Sequence, residues 1–275
     1  IISNSVLRQR RSDGSSSVVD SSPTPHNLGK YTSSDLFLDN RLGSFGSIAN
    51  DFASKGRTLG YYAYVRIAKT GRSIVVQYWL FYAYNNGRLN DHQGDIEVVQ
   101  IFLDESESPQ RVLLSQHSAG QSAAWSDVEK VDTHPVVYVA LGSHANYFRP
   151  YQGKIGVEND IVGGDGFTVG PNDLKLVILG EKGGHSPDQS WLDYPGRWGY
   201  WGTEQETAQG MAGPLGPVFN QDGVRWAQPG TYLGSSLSVD SVYFAVAWMA
   251  ANFLLLILVL TAVLGGWKVL GIVRL

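Results

Sequence analysis

The pattern of apolar and polar positions changes character along the chain. From Tyr61 onward it takes the period of strands: Tyr61 to Ala68 and Ile74 to Tyr84 flank Thr70-Gly71-Arg72 and predict a hairpin closed by a glycine turn. Ile96 to Leu103, Arg111 to Gln116, Val136 to Leu141 and Leu174 to Leu179 are further β-rich runs, each closed by turn residues. No long amphipathic helix intervenes, so the runs predict a mainly β domain of antiparallel sheets packed as a β-sandwich. Beyond Lys182 the chain turns loop-like, with Gly, Pro and Trp throughout (YPGRWGYW, then GPLGP) as far as Leu237. Upstream, residues 12 to 25 (SDGSSSVVDSSPTP) have almost nothing to bury. Residues 1–32 are therefore expected to be a flexible Ser/Pro-rich segment, and 33–238 the β-domain, with at most a short helix between residues 33 and 52.

The last stretch has neither period. From Ser241 through Trp267 no side chain is charged. Tyr243 to Trp267 would form about 37 Å of helix at 1.5 Å per residue, more than a hydrocarbon core of roughly 30 Å. The reading is a single-pass transmembrane helix within residues 239–275, with Tyr243, Trp248 and Trp267 toward its ends and Lys268 and Arg274 following. Cations on that side place the short tail in the cytoplasm and the β-domain outside the cell membrane. Arg8, Arg10 and Arg11 follow Ile1 closely and would pull the other way if a hydrophobic segment were retained ahead of them; a cleaved signal peptide reconciles the two. Ala247 and Ala251 share a helical face, Gly265 and Gly266 lie beyond, and Asn252 puts an amide where water is absent. These predict association with other transmembrane subunits or with a second copy, besides the lipid bilayer itself.

Composition narrows the picture. Among 275 residues there is no cysteine, which excludes a disulfide scaffold, thiolate metal sites and a cysteine nucleophile. A chain of this length needs no such staple to hold a core. The net charge of -4 argues against a nucleic-acid partner, and without Lys268 and Arg274 the remainder carries -6, unsuited to anionic headgroups. The 32 glycines fit a turn-rich β protein.

Polar residues gather at predicted strand ends. Asp95 and Glu97, in DHQGDIE with His92, are two apart on a strand and so share one sheet face. His117 and His144 each follow the end of another run. If those strands are neighbours, His92, Asp95, Glu97, His117 and His144 converge. Such a set suits a polar network that locks loops, a divalent metal ion, or acid–base catalysis through Asp95, Glu97 and His144. No standard zinc spacing is present. Ser143 lies in GSH, which is not a strand-to-helix nucleophile elbow, and Gly163 to Gly166 lacks the ligand series of an EF-hand and reads as a turn. His134 and His185 read as loop residues. Trp191, Trp198, Tyr200, Trp201 and Trp226 would either stack on sugar rings or cover a sheet face.

Taken in order, the run Gln77 to Tyr82 (QYWLFY), His92-x-Gly94-Asp95-x-Glu97, Ser115-x-His117, Trp125, His134 to Ala145, Gly196-Arg197-Trp198-Gly199 and Gly213-Pro214-x-Gly216-Pro217 resembles the Vps62 family of vacuolar-sorting-associated-protein-62-like domains over roughly residues 58 to 229. The resemblance implies a β-rich domain without a defined molecular activity. By position it implies that His92, Asp95, Glu97, His117 and His144 are the family's polar set. The chain departs from it at Ile96, where Trp is usual between the acids, and in the added apolar C-terminus. The resulting expectation is a membrane-anchored accessory or structural subunit of a larger membrane or cell-surface assembly. The alternatives are a metal-dependent hydrolase using the His92/Asp95/Glu97/His117/His144 cluster and a glycan-binding surface module.

Overall fold

The computed structural model describes residues 1–87, 90–155, 160–201 and 211–272. Its centre is a seven-stranded sheet, built from β4 (Tyr61–Thr70), β5 (Ser73–Asn85), β6 (His92–Leu103), β7 (Pro109–Gln116) and β8 (Ala119–Ala124) as an antiparallel meander. Two edge strands, β15 (Leu174–Ile178) and β16 (Ser236–Ser238), run parallel to β4 and β8 respectively. The sheet is therefore mixed, and the expected purely antiparallel sandwich gives way to one large sheet covered on both faces. Parallel edges need long crossovers, and here the covering segments supply them.

β6 explains why the cover is double. Val98 and Val99 point to opposite faces, as neighbours in a strand must, yet both are buried. Val98 joins Trp79, Ile96, Leu7, Leu36, Trp191, Trp198 and Trp226 in an aromatic interior. Val99 joins Ile101, Val112, Leu114, Tyr147, Phe148, Val162 and Phe244 in a second one. A strand buried on both faces has no solvent side to alternate with, so β6 carries apolar residues on both faces and the polar ones among them, Asp95, Glu97 and Gln100, are buried as well. Each fully buried large apolar side chain contributes on the order of 2 kcal/mol, so Trp79, wholly buried, is a principal anchor of the first interior.

The N-terminal 32 residues, expected to be flexible, instead form part of that cover. β1 (Ser5–Arg10) pairs with β2 (Ser16–Asp20) and with β3 (Leu36–Asn40) in a three-stranded antiparallel sheet. Few residues there are apolar, but Ile2, Leu7 and Leu28 are all buried, and those three suffice to hold the segment. Helix α1 (Phe45–Leu59) then leads into β4. After β8 come the short antiparallel pair β9 (Lys130–Val131) and β10 (His134–Pro135), and the run from Val136 to Leu141 shortens to the two-residue strand β11 (Tyr138–Val139), paired with β12 (Asn146–Tyr147). A further hairpin, β13 (Tyr151–Ile155) with β14 (Asp160–Val162), completes the cover of the second interior.

The apolar C-terminus is two helices, α2 (Ser241–Ala251) and α3 (Phe253–Ile272). No single helix among the described residues is long and apolar enough to cross a membrane; Ser241–Ala250 and Leu255–Val263 meet that test only together, bent by 78°. The single straight span expected from the sequence is thereby corrected. The break falls at Asn252, whose backbone N–H and side-chain amide both donate to the Trp248 carbonyl, at 3.0 and 2.8 Å, at the end of α2. Its amide is thus spent within its own chain. Ala247 packs against the second interior of its own domain, which removes it from the expected helix-pairing face. The side chain of Ala251, the surroundings of Gly265 and Gly266, and Arg274 lie outside the described residues.

Candidate functional site

Asp95 and Glu97 sit on β6 opposite Tyr82 and Leu80 of β5, on the sheet face that lines the second interior. Backbone approach fixes the entry to this strand. Gly94 has φ +69°, and a Cβ there would lie 2.1 Å from the Trp198 carbonyl oxygen. The Trp198 N–H donates to the Pro214 carbonyl at 2.8 Å, so the HQGD, GRWG and GPLGP motifs form one clasp that holds the start of β6. At Gly94 the positive φ and the close backbone approach both call for a residue without a Cβ.

His144 is placed by a turn. Gly142 adopts φ +85° with its Cα pressed so near Asn86 that a Cβ would stand 2.2 Å from that carbonyl, and His144 itself has φ +60°. The Nδ1 of His144 lies 3.0 Å from Asp95 Oδ2, and its ring stacks on Tyr82 with centroids 3.9 Å apart. His117, in the tight turn between β7 and β8, is the second site histidine with a left-handed backbone, φ +56°. Its Nε2 lies 3.1 Å from Asp160 Oδ2. Histidine tolerates this region better than most residues, but both positions hold some strain, of order 1 kcal/mol or more.

Asp160 was not visible in the sequence pattern, yet it is the most heavily bonded carboxylate here. Besides His117 it accepts from Tyr147 Oη at 2.6 Å and, closely, from Ser143 Oγ. Burial raises its pKa, but the hydrogen bonds from His117, Ser143 and Tyr147 outweigh that and leave it below the ordinary aspartate value. Glu97, 2% exposed, accepts closely from Ser115 Oγ, which in turn accepts from the Val98 N–H at 2.7 Å and from Asn146 Nδ2 at 3.4 Å. Burial first, and the neighbouring Asp95 charge second, push Glu97 up to about 7, with Arg225, Ser115 and His117 working against them. Burial likewise raises Tyr82 and Tyr147, so both hydroxyls stay protonated.

The structure thus brings together four of the five expected residues, Asp95, Glu97, His117 and His144, and adds Asp160: two His–Asp pairs and a glutamate bonded to Ser115. His92 stands apart: its Nδ1 lies 2.6 Å from the Gly94 carbonyl oxygen. Among the described residues no group of three or more His, Asp or Glu side chains could hold a metal ion. His92, Asp95, Glu97, His117 and His144 therefore do not come together as the ligand set that their sequence positions allowed; His144 pairs with Asp95, His117 with Asp160, and His92 with the Gly94 carbonyl. In this arrangement the residues fasten the Gly142–Tyr147 turn and the β13–β14 hairpin onto the sheet.

The aromatic group divides as well. Trp191, Trp198 and Trp226 are buried and pack on Phe81 and Trp79, with Trp191 and Trp198 centroids 5.5 Å apart. That leaves Tyr200 exposed and Trp201 between Arg10 and Arg197, whose guanidinium carbons lie 5.3 and 4.8 Å from its ring centroid. Trp191, Trp198 and Trp226 thus cover a sheet face. His185, read as a loop residue, is held by Asp193 at 2.8 Å.

A family model described as vacuolar protein sorting-associated protein 62 matches residues 61–206, more than half the chain and most of the central sheet. No curated protein matches the chain. Similar solved structures include NLPPya in complex with glucosamine, at 13% identity over 48% of this chain and 57% of that one, with a TM-score of 0.34. Another, titled "Toxin fold for microbial attack and plant defense", is 16% identical over 48% and 56%, with a TM-score of 0.34. Necrosis and Ethylene inducing Protein 2 from the causal agent of cocoa's Witches Broom disease is 17% identical over 48% and 56%, with a TM-score of 0.31. The chain spans little more than half the length of these structures.

Proposed function

The chain belongs to the Vps62 family, and from that premise we propose that it is a membrane-attached β-domain that works through interactions, as an accessory or structural subunit of a membrane or cell-surface assembly. One observation carries the reading: α2 and α3 present large apolar side chains to the outside, among them Val242, Phe253 and Leu258 at 70, 60 and 66% exposure. Helices apolar all round are stable only when buried in protein or lipid, and an exposed surface of this kind marks an interaction site. The bent pair, rather than a straight span, is the attachment. Lys268 and Arg274 after the apolar stretch support the β-domain on the extracytoplasmic side.

In this reading the buried polar cluster is a lock. The hydrolase alternative would require the His144–Asp95 and His117–Asp160 pairs to open, and the glycan alternative would require exposed rings where Trp191, Trp198 and Trp226 are buried. Neither is carried further.

The test is flotation of the full chain with phosphatidylcholine vesicles on a density gradient. The protein is expected to rise with the vesicles, and Leu258→Arg to stay largely in the dense fraction. A wild-type protein that remains at the bottom overturns the attachment. Mass measured in mild detergent then tests the subunit role, which a monodisperse monomer with no co-purifying chain would contradict.

A further inference from the structure

The two apolar helices are not equivalent. α2 is docked along one side: Phe244 is buried, Tyr243 and Ala247 pack against the second interior, and Phe244 meets Phe148 edge to face with centroids 6.2 Å apart. Its other side carries Val242, Val246 and Met249, at helical spacings of four and three, all about half exposed or more. This is a helix with one face on its own domain and one apolar stripe outward. Among the described side chains α3 has no such division; Phe253, Leu255, Leu258, Val259, Leu260 and Val263 are all exposed. The bend of 78° at Asn252 sets the two nearly at right angles.

Resting on the membrane-attached reading above, we infer that α2 lies in the plane of the bilayer interface, with Val242, Val246 and Met249 dipped below the headgroups, while α3 alone enters the hydrocarbon. If α3 follows the bilayer normal, a bend of 78° lays α2 close to the membrane plane. Both apolar surfaces then leave water together. A straight continuation would carry α2, and the β-domain docked on it, into the acyl region, where the Asp127 carboxylate that accepts from Ser241 Oγ at 3.1 Å and the Arg149–Glu129 ion pair beside α2 have no place.

The rim charges also choose the lipid. Arg149 stands 4.9 Å over the Phe244 ring and pairs with Glu129 at 3.1 Å, while Asp127 and Asp240 flank the start of α2. Both signs are present, matched to a zwitterionic headgroup with its own phosphate and ammonium. An anionic surface would meet those carboxylates and the -4 net charge of the chain. The half-exposed Trp248, near the bend, has the side chain preferred at headgroup depth. The partner of this face is therefore a phosphatidylcholine-like bilayer surface.

The absence of cysteine makes the test direct, because one introduced thiol is the only one in the molecule. Val246→Cys, Met249→Cys, Leu258→Cys and, as a water-facing reference on the sheet, Ile67→Cys are each labelled with a nitroxide in the full chain. Depth is then read on phosphatidylcholine vesicles by relaxation with oxygen against a polar nickel chelate. Labels at 246 and 249 are expected at a shared shallow depth, roughly 5–10 Å below the headgroups, with 258 clearly deeper and 67 in water. Depth that increases steadily from 246 through 249 to 258, at about 1.5 Å per residue, would mean a straight inserted helix and overturns the inference. Labels at 246 and 249 in water with 258 deep would also overturn it, while leaving attachment intact. All four labels in water would remove attachment itself.

Discussion

Glu97 and Asp160 are both buried carboxylates in one polar cluster, yet their pKa values move in opposite directions. Asp160 takes hydrogen bonds from His117, Ser143 and Tyr147, enough to favour its ionised form in spite of burial. Glu97 has one hydroxyl donor, Ser115, and a second carboxylate, Asp95, two residues away on the same face. Burial is common to the two; the number of donors separates them. The cluster is thus asymmetric, with a charged end that ties the outer hairpin down and an end whose neutral form is favoured up to about pH 7.

The sharpest way to break this comparison is Asp160→Ala. It strands three donors at once and should cost about 4 kcal/mol in denaturant unfolding at pH 7. A loss below about 1 kcal/mol would show that the hairpin is held by something else. Next in size is Glu97→Gln. Because the folded pKa of Glu97 is raised from 4.5 to about 7, its contribution is full below pH 4.5 and is lost as pH rises toward 7, on the order of 3 kcal/mol in total. Asp160 works in reverse: its lowered pKa gives stability above about 3.8 that disappears in stronger acid. Together they place the cluster's own optimum near pH 4. Glu97→Gln should flatten the decline between pH 4.5 and 7 and be more stable than the native chain at pH 8, and an unchanged slope would refute the assignment.

Ser115→Ala should cost about 2 kcal/mol, since it leaves the Val98 N–H without its acceptor and takes away the hydroxyl bonded to Glu97. It should also steepen the pH slope, which a purely steric role would not do. Smallest is Tyr147→Phe, at about 1 kcal/mol, read best as a rise in the acid midpoint of unfolding, because Asp160 retains two of its three donors.

What the sequence revealed follows the range over which each feature is encoded. The shared face of Asp95 and Glu97 needed only the period of a strand, and β4 to β7 were legible from the same local pattern. Asp160 was not, because it comes from a hairpin whose docking depends on contacts more than forty residues away in the chain, at His117. β15 was legible as the run Leu174 to Leu179, but its parallel pairing with β4, and β16 altogether, leave no local trace. The N-terminal segment misled through its composition: serine and aspartate dominate it, but burial of Ile2, Leu7 and Leu28 decides its fate. The apolar tail was plain in composition, while its bend falls at Asn252, whose amide reads in isolation as a partner-seeking group.

Tyr147 and Phe148 are consecutive residues with separate attachments: the hydroxyl of the first holds Asp160, and the ring of the second meets Phe244 of α2. The lever arm between anchor and lock is one peptide unit long. A displacement of α2 at Phe244 is delivered to the carboxylate end of the cluster with almost no slack to absorb it.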